Sequence, residues 1–155
     1  MKKKYVLIFF CLLFLVGCEN QEEKIKNEYI GMKSTLLEED YTDIDKDNLP
    51  LDIKVQIDRV DEEKVKYHVI FSNPKENMNE IKAMVVHNYY SETLFPSVGV
   101  FDDKQNLLVS DGDSIELVDT IKTTKNISKL NLELKVWMEY VDDDGEKKEV
   151  YYKTT

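Results

Sequence analysis

The chain has little of what usually carries chemistry. Of its 155 residues two are cysteine, two are histidine and five are glycine. Both cysteines, Cys11 and Cys18, stand near the amino terminus, so everything downstream is thiol-free. A disulfide framework, a cysteine-held metal and a cysteine nucleophile are thereby excluded from the bulk of the chain. The few glycines form no phosphate loop or nucleophile elbow, and His68 and His87 do not form a helical metal-binding pair. A metal site needs clustered partners, so each histidine reads as a surface or satisfied core residue. Basic residues are also scarce: 21 Lys and Arg face 31 Asp and Glu, for a formal net charge of −10. Such a polyanion is repelled by nucleic acid and by anionic headgroups. Carboxylates are so abundant that no one pair stands out for acid–base work. Internal repeats and low-complexity tracts are absent.

Long hydrophobic runs are missing as well. The longest, Tyr5 to Val16, falls short of the roughly 20 residues that span a bilayer. It follows Lys2, Lys3 and Lys4 and leads into Leu15-Val16-Gly17-Cys18, the layout of a charged n-region, a short apolar h-region and a processing site. The tetrapeptide resembles the lipobox of bacterial lipoproteins. That resemblance implies cleavage before Cys18, a diacylglyceryl group on its sulfur and acylation, commonly with palmitate, of the new amino terminus. Two or more acyl chains anchor a protein stably where one does not. The expected location is the extracellular face of the cell membrane. Removing residues 1–17, which hold three lysines and no acid, leaves 138 residues at a net charge of −13. That length suffices for one domain with its own core but hardly for two.

Residues 18–48 are mostly charged and read first as an acidic tether. Fully flexible, thirty such residues would span on the order of 30 Å. Ile25, Tyr29, Met32 and Leu36 nevertheless recur at helical spacing, which suits a short amphipathic helix that Gly31 would weaken. Met32, Leu36 and Leu37 could equally dock on the edge of the domain that follows, and the sequence leaves these alternatives open.

From position 49 to 155 the hydrophobic period becomes two. Leu51, Ile53, Val55 and Ile57 alternate with polar residues, then Val65, Tyr67, Val69 and Phe71 do so across an Asp61–Lys64 hairpin. Further strands are expected at Glu80–Tyr90, Val98–Phe101, Leu107–Val109, Ser114–Ile121, Leu130–Tyr140 and Glu146–Lys153. Seven to eight short strands with frequent turns predict an all-β fold, an antiparallel immunoglobulin or fibronectin-III-like β-sandwich. Asp143-Asp144-Gly145 suits a three-residue hairpin loop with Gly145 left-handed, which pairs Asp142 with Glu146, Met138 with Val150, and Trp137 with Tyr151.

Three surface features invite a function. Asp43, Asp45 and Asp47 imitate an EF-hand opening, but Asn48 replaces the required glycine and Lys54 the bidentate glutamate, so the motif fails. If all strands alternate in direction, the loops carrying Asp61, Glu62, Glu63, Asp111, Asp113, Asp142, Asp143 and Asp144 gather at one end. Lys75, Lys104, Lys122, Lys125 and Lys129 then gather at the other. Turns favour aspartate for local reasons, yet Asp111, Asp113 and Asp142 to Asp144 could also form a weak Ca²⁺ site of the millimolar, extracellular kind. Finally, parity puts the sole tryptophan, Trp137, on the polar side of its strand beside Tyr151. The pair either stabilises an edge, covered or not by the tether, or offers a stacking platform to a glycan or protein.

The layout of short signal, acidic tether and single β-domain resembles that of small lipoproteins of Gram-positive bacteria. The function expected is a non-enzymatic binding or structural module, needing no cofactor and contacting a protein or cell-wall polymer. A small-ligand or Ca²⁺ receptor built on the acidic loops is the alternative, and a carboxylate-based hydrolase is a distant third.

Overall fold

The period-two segments form strands, and the helical spacing forms a helix. The computed structural model describes residues 20–38, 48–91 and 93–154. Its elements are helix α1 (Gln21–Glu38), strands β1 (Asp52–Arg59), β2 (Lys64–Ser72), β3 (Met78–His87), β4 (Ser97–Val98), β5 (Gln105–Leu107) and β6 (Ile115–Lys122), a 3₁₀ turn at Ile127–Lys129, and strands β7 (Leu134–Val141) and β8 (Lys147–Lys153). Two antiparallel sheets result. One has the order β1-β2-β6; the other has β4-β3-β7-β8, with β5 also pairing with β3.

One apolar cluster joins the sheets. Tyr67, Val69 and Phe71 from β2 and Ile115, Leu117 and Ile121 from β6 meet Ile81, Ala83 and Val85 from β3 and Val136, Met138 and Tyr140 from β7. Each fully buried large side chain contributes about 1.5–3 kcal/mol relative to exposure. A second cluster lies on the other side of the five-stranded sheet. There Tyr29 and Leu36 of α1 pack on Met84 and Val86 of β3 together with Phe95 and Val100. Residues 83–87 of β3 are therefore buried on both faces, which is why Ala83 to His87 shows no polar alternation.

Within residues 18–48, then, the helix forms and docks. Asn20 O accepts the first helical hydrogen bonds, from the N–H groups of Glu23 and Lys24 at 2.8 and 3.2 Å. Glu22 and Glu23 lie in the first turn, where negative charge complements the helix dipole. The acids Asp43, Asp45 and Asp47, like the segment 1–19, lie outside the described residues.

Strand limits differ from the periodicity where local chemistry intervenes. The expected Leu130–Tyr140 strand begins only at Leu134, because the 3₁₀ turn and its connection occupy the preceding residues. The Val98–Phe101 segment stops at Val98. Gly99 follows with φ +70°, and its N–H bonds Asp102 Oδ1 at 2.7 Å, turning the chain away. β3 begins before Glu80 and carries a bulge there. Glu80 has φ 51°, the register against β7 shifts between Asn79 and Lys82, and the Glu80 N–H is held by Asn106 Oδ1 at 2.9 Å. The last hairpin has the expected register, with Met138 opposite Val150 and Trp137 opposite Tyr151. Gly145 sits at φ +80°, and its N–H bonds Asp142 O at 3.1 Å.

The two glycines discussed above call for opposite outcomes. A Cβ at Gly31 meets nothing within 4 Å, so Gly31→Ala should stabilise by about 0.5–1 kcal/mol through helix propensity. A Cβ at Gly99 would lie 2.4 Å from the backbone oxygen of Ile81, at a positive φ. Gly99→Ala should therefore cost about 2 kcal/mol or more. Thermal or urea unfolding of the two variants, which must shift in opposite directions, checks the assignment.

Candidate functional site

The outer face of the five-stranded sheet carries the aromatic pair foreseen from parity. Met84, Trp137 and Tyr151 form a ladder across β3, β7 and β8. Trp137 does not stand open as a platform: it packs against the α1 cluster and is half-buried. A shallow recess of about 200 Å³ remains beside it, lined by Met32, Thr35, Leu36, Trp137, Glu149 and Tyr151. The Tyr151 hydroxyl donates to Glu149 Oε2 at 2.9 Å. Helical cover thus reaches the tryptophan, and both members of the pair are half-buried.

The acidic loops do not all gather at one end. β4 and β5 both run antiparallel to β3, so they share a direction and strict alternation breaks between them. Asp111 and Asp113 consequently precede β6 at the end where β2 finishes, since Phe71 pairs with Ile115. Asp142 to Asp144 join that same end, as Val141 pairs with Asn79 near the start of β3. Asp61, Glu62 and Glu63 lie at the opposite end, where the Thr123 N–H bonds Glu63 O at 2.7 Å. Lys122 and Lys125 are beside them, whereas Lys75 accompanies the other acids, its N–H bonding Pro50 O at 2.7 Å. Arg59 secures the Asp61 end by donating to the carbonyls of Thr123 and Lys125 at 3.1 and 2.8 Å and to that of Glu62.

At the Asp142 end the carboxylates already have protein donors. Asp142 Oδ1 accepts from the N–H groups of Asp144 and Glu146 at 3.0 and 2.8 Å, and its Oδ2 pairs with Lys148 Nζ at 3.0 Å. Asp143 accepts from Asn77 at 2.9 Å and Asn79 at 3.4 Å. Asp111 accepts from the Ser110 hydroxyl at 2.6 Å. Among the described residues no three His, Cys, Asp or Glu side chains converge to hold an ion. The Asp111, Asp113, Asp142, Asp143 and Asp144 set shares an end without forming a cage.

Lys148 organises this end. Its ammonium also meets Glu76 Oε2 at 2.8 Å, and Tyr140 donates to the same carboxylate. The bond from Lys148, then that from Tyr140, holds the Glu76 carboxyl below its usual range. Asp142 is held down by Lys148 and the Glu146 N–H, while the bonds from Glu76 and Asp142 push the ammonium up.

A constellation that the sequence did not single out lies between the sheets. His87 packs edge-on against Tyr67 and Phe95, with ring centroids 5.6 and 4.9 Å away. Its Nε2 is 3.7 Å from Asp119 Oδ2, and its Nδ1 accepts the Tyr89 N–H at 3.2 Å. The Tyr67 hydroxyl, His87 Nε2 and Asp119 Oδ2 are buried with no hydrogen-bond partner among the described residues. Burial first, then the Asp119 charge, pushes the Tyr67 hydroxyl far above its ordinary pKa. The available signal was parity: Asp119 shares the inward side of β6 with Ile115, Leu117 and Ile121. His68, by contrast, lies on the outer side of β2, its Nδ1 2.7 Å from Glu116 Oε1 and its Nε2 3.7 Å from Asp58 Oδ2.

No family model, curated protein or solved structure matches the chain. The Tyr67 hydroxyl, His87 Nε2 and Asp119 Oδ2 are buried, so as packed these atoms face no substrate. The remaining accessible features are the aromatic margin at Tyr151 and the flank of α1.

Two outcomes test these assignments. Tyr67→Phe should raise stability by about 1 kcal/mol, because it deletes a buried hydroxyl that lacks a partner while keeping the ring; a fall in denaturation midpoint would show that the hydroxyl is satisfied. Glu76 and Asp142 ionise more readily folded than unfolded, from ordinary values of 4.5 and 3.8. Their stabilisation is complete above those values and is lost as pH falls through the lower folded ones. Melting temperature should therefore drop on acidification below about pH 4.5, and Lys148→Met should flatten that acid limb.

Proposed function

We propose that the chain is a membrane-anchored surface lipoprotein, acylated on Cys18. It displays a non-enzymatic immunoglobulin-like β-sandwich on the extracellular face, where the domain contacts a protein or a cell-wall polymer. The strand order supports the architectural part of this reading. With β1-β2-β6 taken as A-B-E and β4-β3-β7-β8 as C′-C-F-G, the order is compatible with an immunoglobulin-like sandwich, β5 adding a further pairing on β3. The observation that carries the functional part is the docking of α1. A helix that starts three residues after Cys18 buries Tyr29 and Leu36 in the domain, so a lipid on Cys18 would hold the β-domain close to the bilayer. The proposed contact is the β7–β8 margin, with Tyr151 supplying an aromatic surface and Glu149 a hydrogen-bonding edge.

Separate substitutions test the anchor and the contact. Cys18→Ala should abolish palmitate labelling and release the chain from the membrane fraction. Tyr151→Ala should keep the label and lose surface binding by about tenfold, the loss of one modest aromatic contact. Persistent labelling of Cys18→Ala would remove the lipoprotein reading; unchanged crosslinking of Tyr151→Ala to surface partners would move the contact elsewhere.

A further inference from the structure

On the flank of α1 away from Tyr151, the helix and the Leu94–Phe101 segment enclose an open groove of about 1090 Å³, whose lining includes Asn20, Ile25, Ile30, Leu37, Leu94 and Phe101. Nine large apolar side chains are exposed among the described residues, and four of them line this groove: Ile30 at 51%, Leu37 at 44%, Leu94 at 64% and Phe101 at 51%. The other five, Val60, Tyr90, Val109, Val118 and Ile127, lie outside it, in the ordinary way of surface residues. A cluster of this kind marks a contact surface.

We propose that this groove is the membrane-facing surface of the protein, with Ile30, Leu94 and Phe101 dipping into the headgroup region of the leaflet that holds the Cys18 lipid. The inference rests on the lipoprotein reading. Asn20 lines the groove, and one residue separates it from Cys18, so the anchored sulfur's residue can lie no more than about 7 Å of chain away. A lipid at that distance brings the bilayer surface to the groove. The buried Tyr29 and Leu36 fix α1 on the domain, so helix and groove move as one body beside the anchor.

The charges around the groove permit this. The whole chain is strongly acidic, but α1 carries three lysines, Lys24, Lys26 and Lys33, against Glu22, Glu23, Glu28 and Glu38, and Glu28 is paired with Lys82 of β3. Lys26 and Lys33 line the groove and balance Glu22 and Glu23 in the same lining, and Lys33 lies 5.4 Å from the Phe95 ring centroid. Long lysines beside apolar residues can keep their stems in the interface and their ammonium groups in the headgroups. The anchor makes the contact intramolecular, so even a weak surface affinity is sufficient. The three-stranded sheet, with Val118 exposed, then faces away from the membrane, and the Tyr151 margin stays open at the side.

The mature chain has no free thiol once Cys18 is acylated, so single cysteines can carry a fluorophore. Full-length lipidated protein with Ile30→Cys, Leu94→Cys or Val118→Cys would be labelled with an environment-sensitive dye. It would then be placed in vesicles of equal parts phosphatidylcholine and phosphatidylglycerol containing a headgroup-depth spin-labelled lipid. The expected result is loss of emission at 30 and 94 and none at 118. The unsubstituted protein gives a second reading: Lys26 and Lys33 should resist an amine-acylating reagent in vesicles relative to detergent, while Lys54 on the distal sheet should not. Palmitate-labelled protein that floats with the vesicles yet shows equal emission at all three sites, with Lys26 and Lys33 unprotected, would overturn the groove assignment alone. The same holds if a second copy is crosslinked across the groove. Protein that carries no palmitate and does not float would overturn the lipoprotein reading beneath it.

Discussion

The burial of β3 on both faces is the constraint on which the rest of the molecule depends. Ala83 and Val85 fill the space between the sheets, while Met84 and Val86 point to the other side and need their own cover. Left exposed, two large apolar side chains in mid-sheet would extend a hydrophobic strip across Trp137. Helix α1 provides the cover, together with Phe95 and Val100 from the chain that follows β3. The Tyr29 hydroxyl, accepting the Phe95 N–H at 2.7 Å, ties these two covering pieces together. Deleting α1 would therefore uncover apolar surface on the central strand of the larger sheet, and the helix belongs to the folded unit.

β3 also sets the topology. β5 spans the β3 bulge at Glu80, pairing at Met78 and Ile81, and β4 follows at Ala83 and Met84, while β7 holds the other edge. The two short strands share a direction, which reverses the sense of the chain relative to simple alternation and carries the Asp111 and Asp142 loops to one end. The carboxylates of Asp142 and Asp143 are then met by donors from the β2–β3 connection, β3 and β8: Asn77, Asn79 and Lys148. At the other end Arg59 plays the corresponding role toward backbone carbonyls. Each end of the β-domain is closed by polar bonds between chain segments far apart in sequence.

The membrane anchor proposed at Cys18 would have mechanical consequences. A flexible tether would let the domain sample a wide volume above the bilayer. A docked helix beside the proposed anchor would instead keep the domain near the bilayer, and it divides the outer face of the larger sheet into two flanks. The apolar flank lies by Asn20, and the aromatic margin with Glu149 lies by β8. Acidic charge elsewhere on the domain resists collapse onto an anionic surface, leaving the near-neutral helix flank as the approach of lowest repulsion.

Much of this was legible along the chain. Alternation located β1, β2, β6, β7 and β8, because residues on a half-buried strand report their face directly. The Asp142–Gly145 turn determined the register that sets Trp137 against Tyr151, since loop length and a left-handed glycine specify the pairing of a hairpin by local geometry alone. The lipobox resemblance is likewise a local pattern. Other features came only from tertiary structure. Helical spacing in α1 showed that a helix could form, but its docking depended on the uncovered Met84 and Val86, which lie far away in sequence. The positive φ at Glu80 has no glycine to announce it, and it is held by Asn106 from another strand. The shared direction of β4 and β5, the placing of the acidic loops and the meeting of Tyr67, His87 and Asp119 followed from those long-range pairings. Periodicity records which side of an element is buried; what buries it is decided by the elements that the fold brings there.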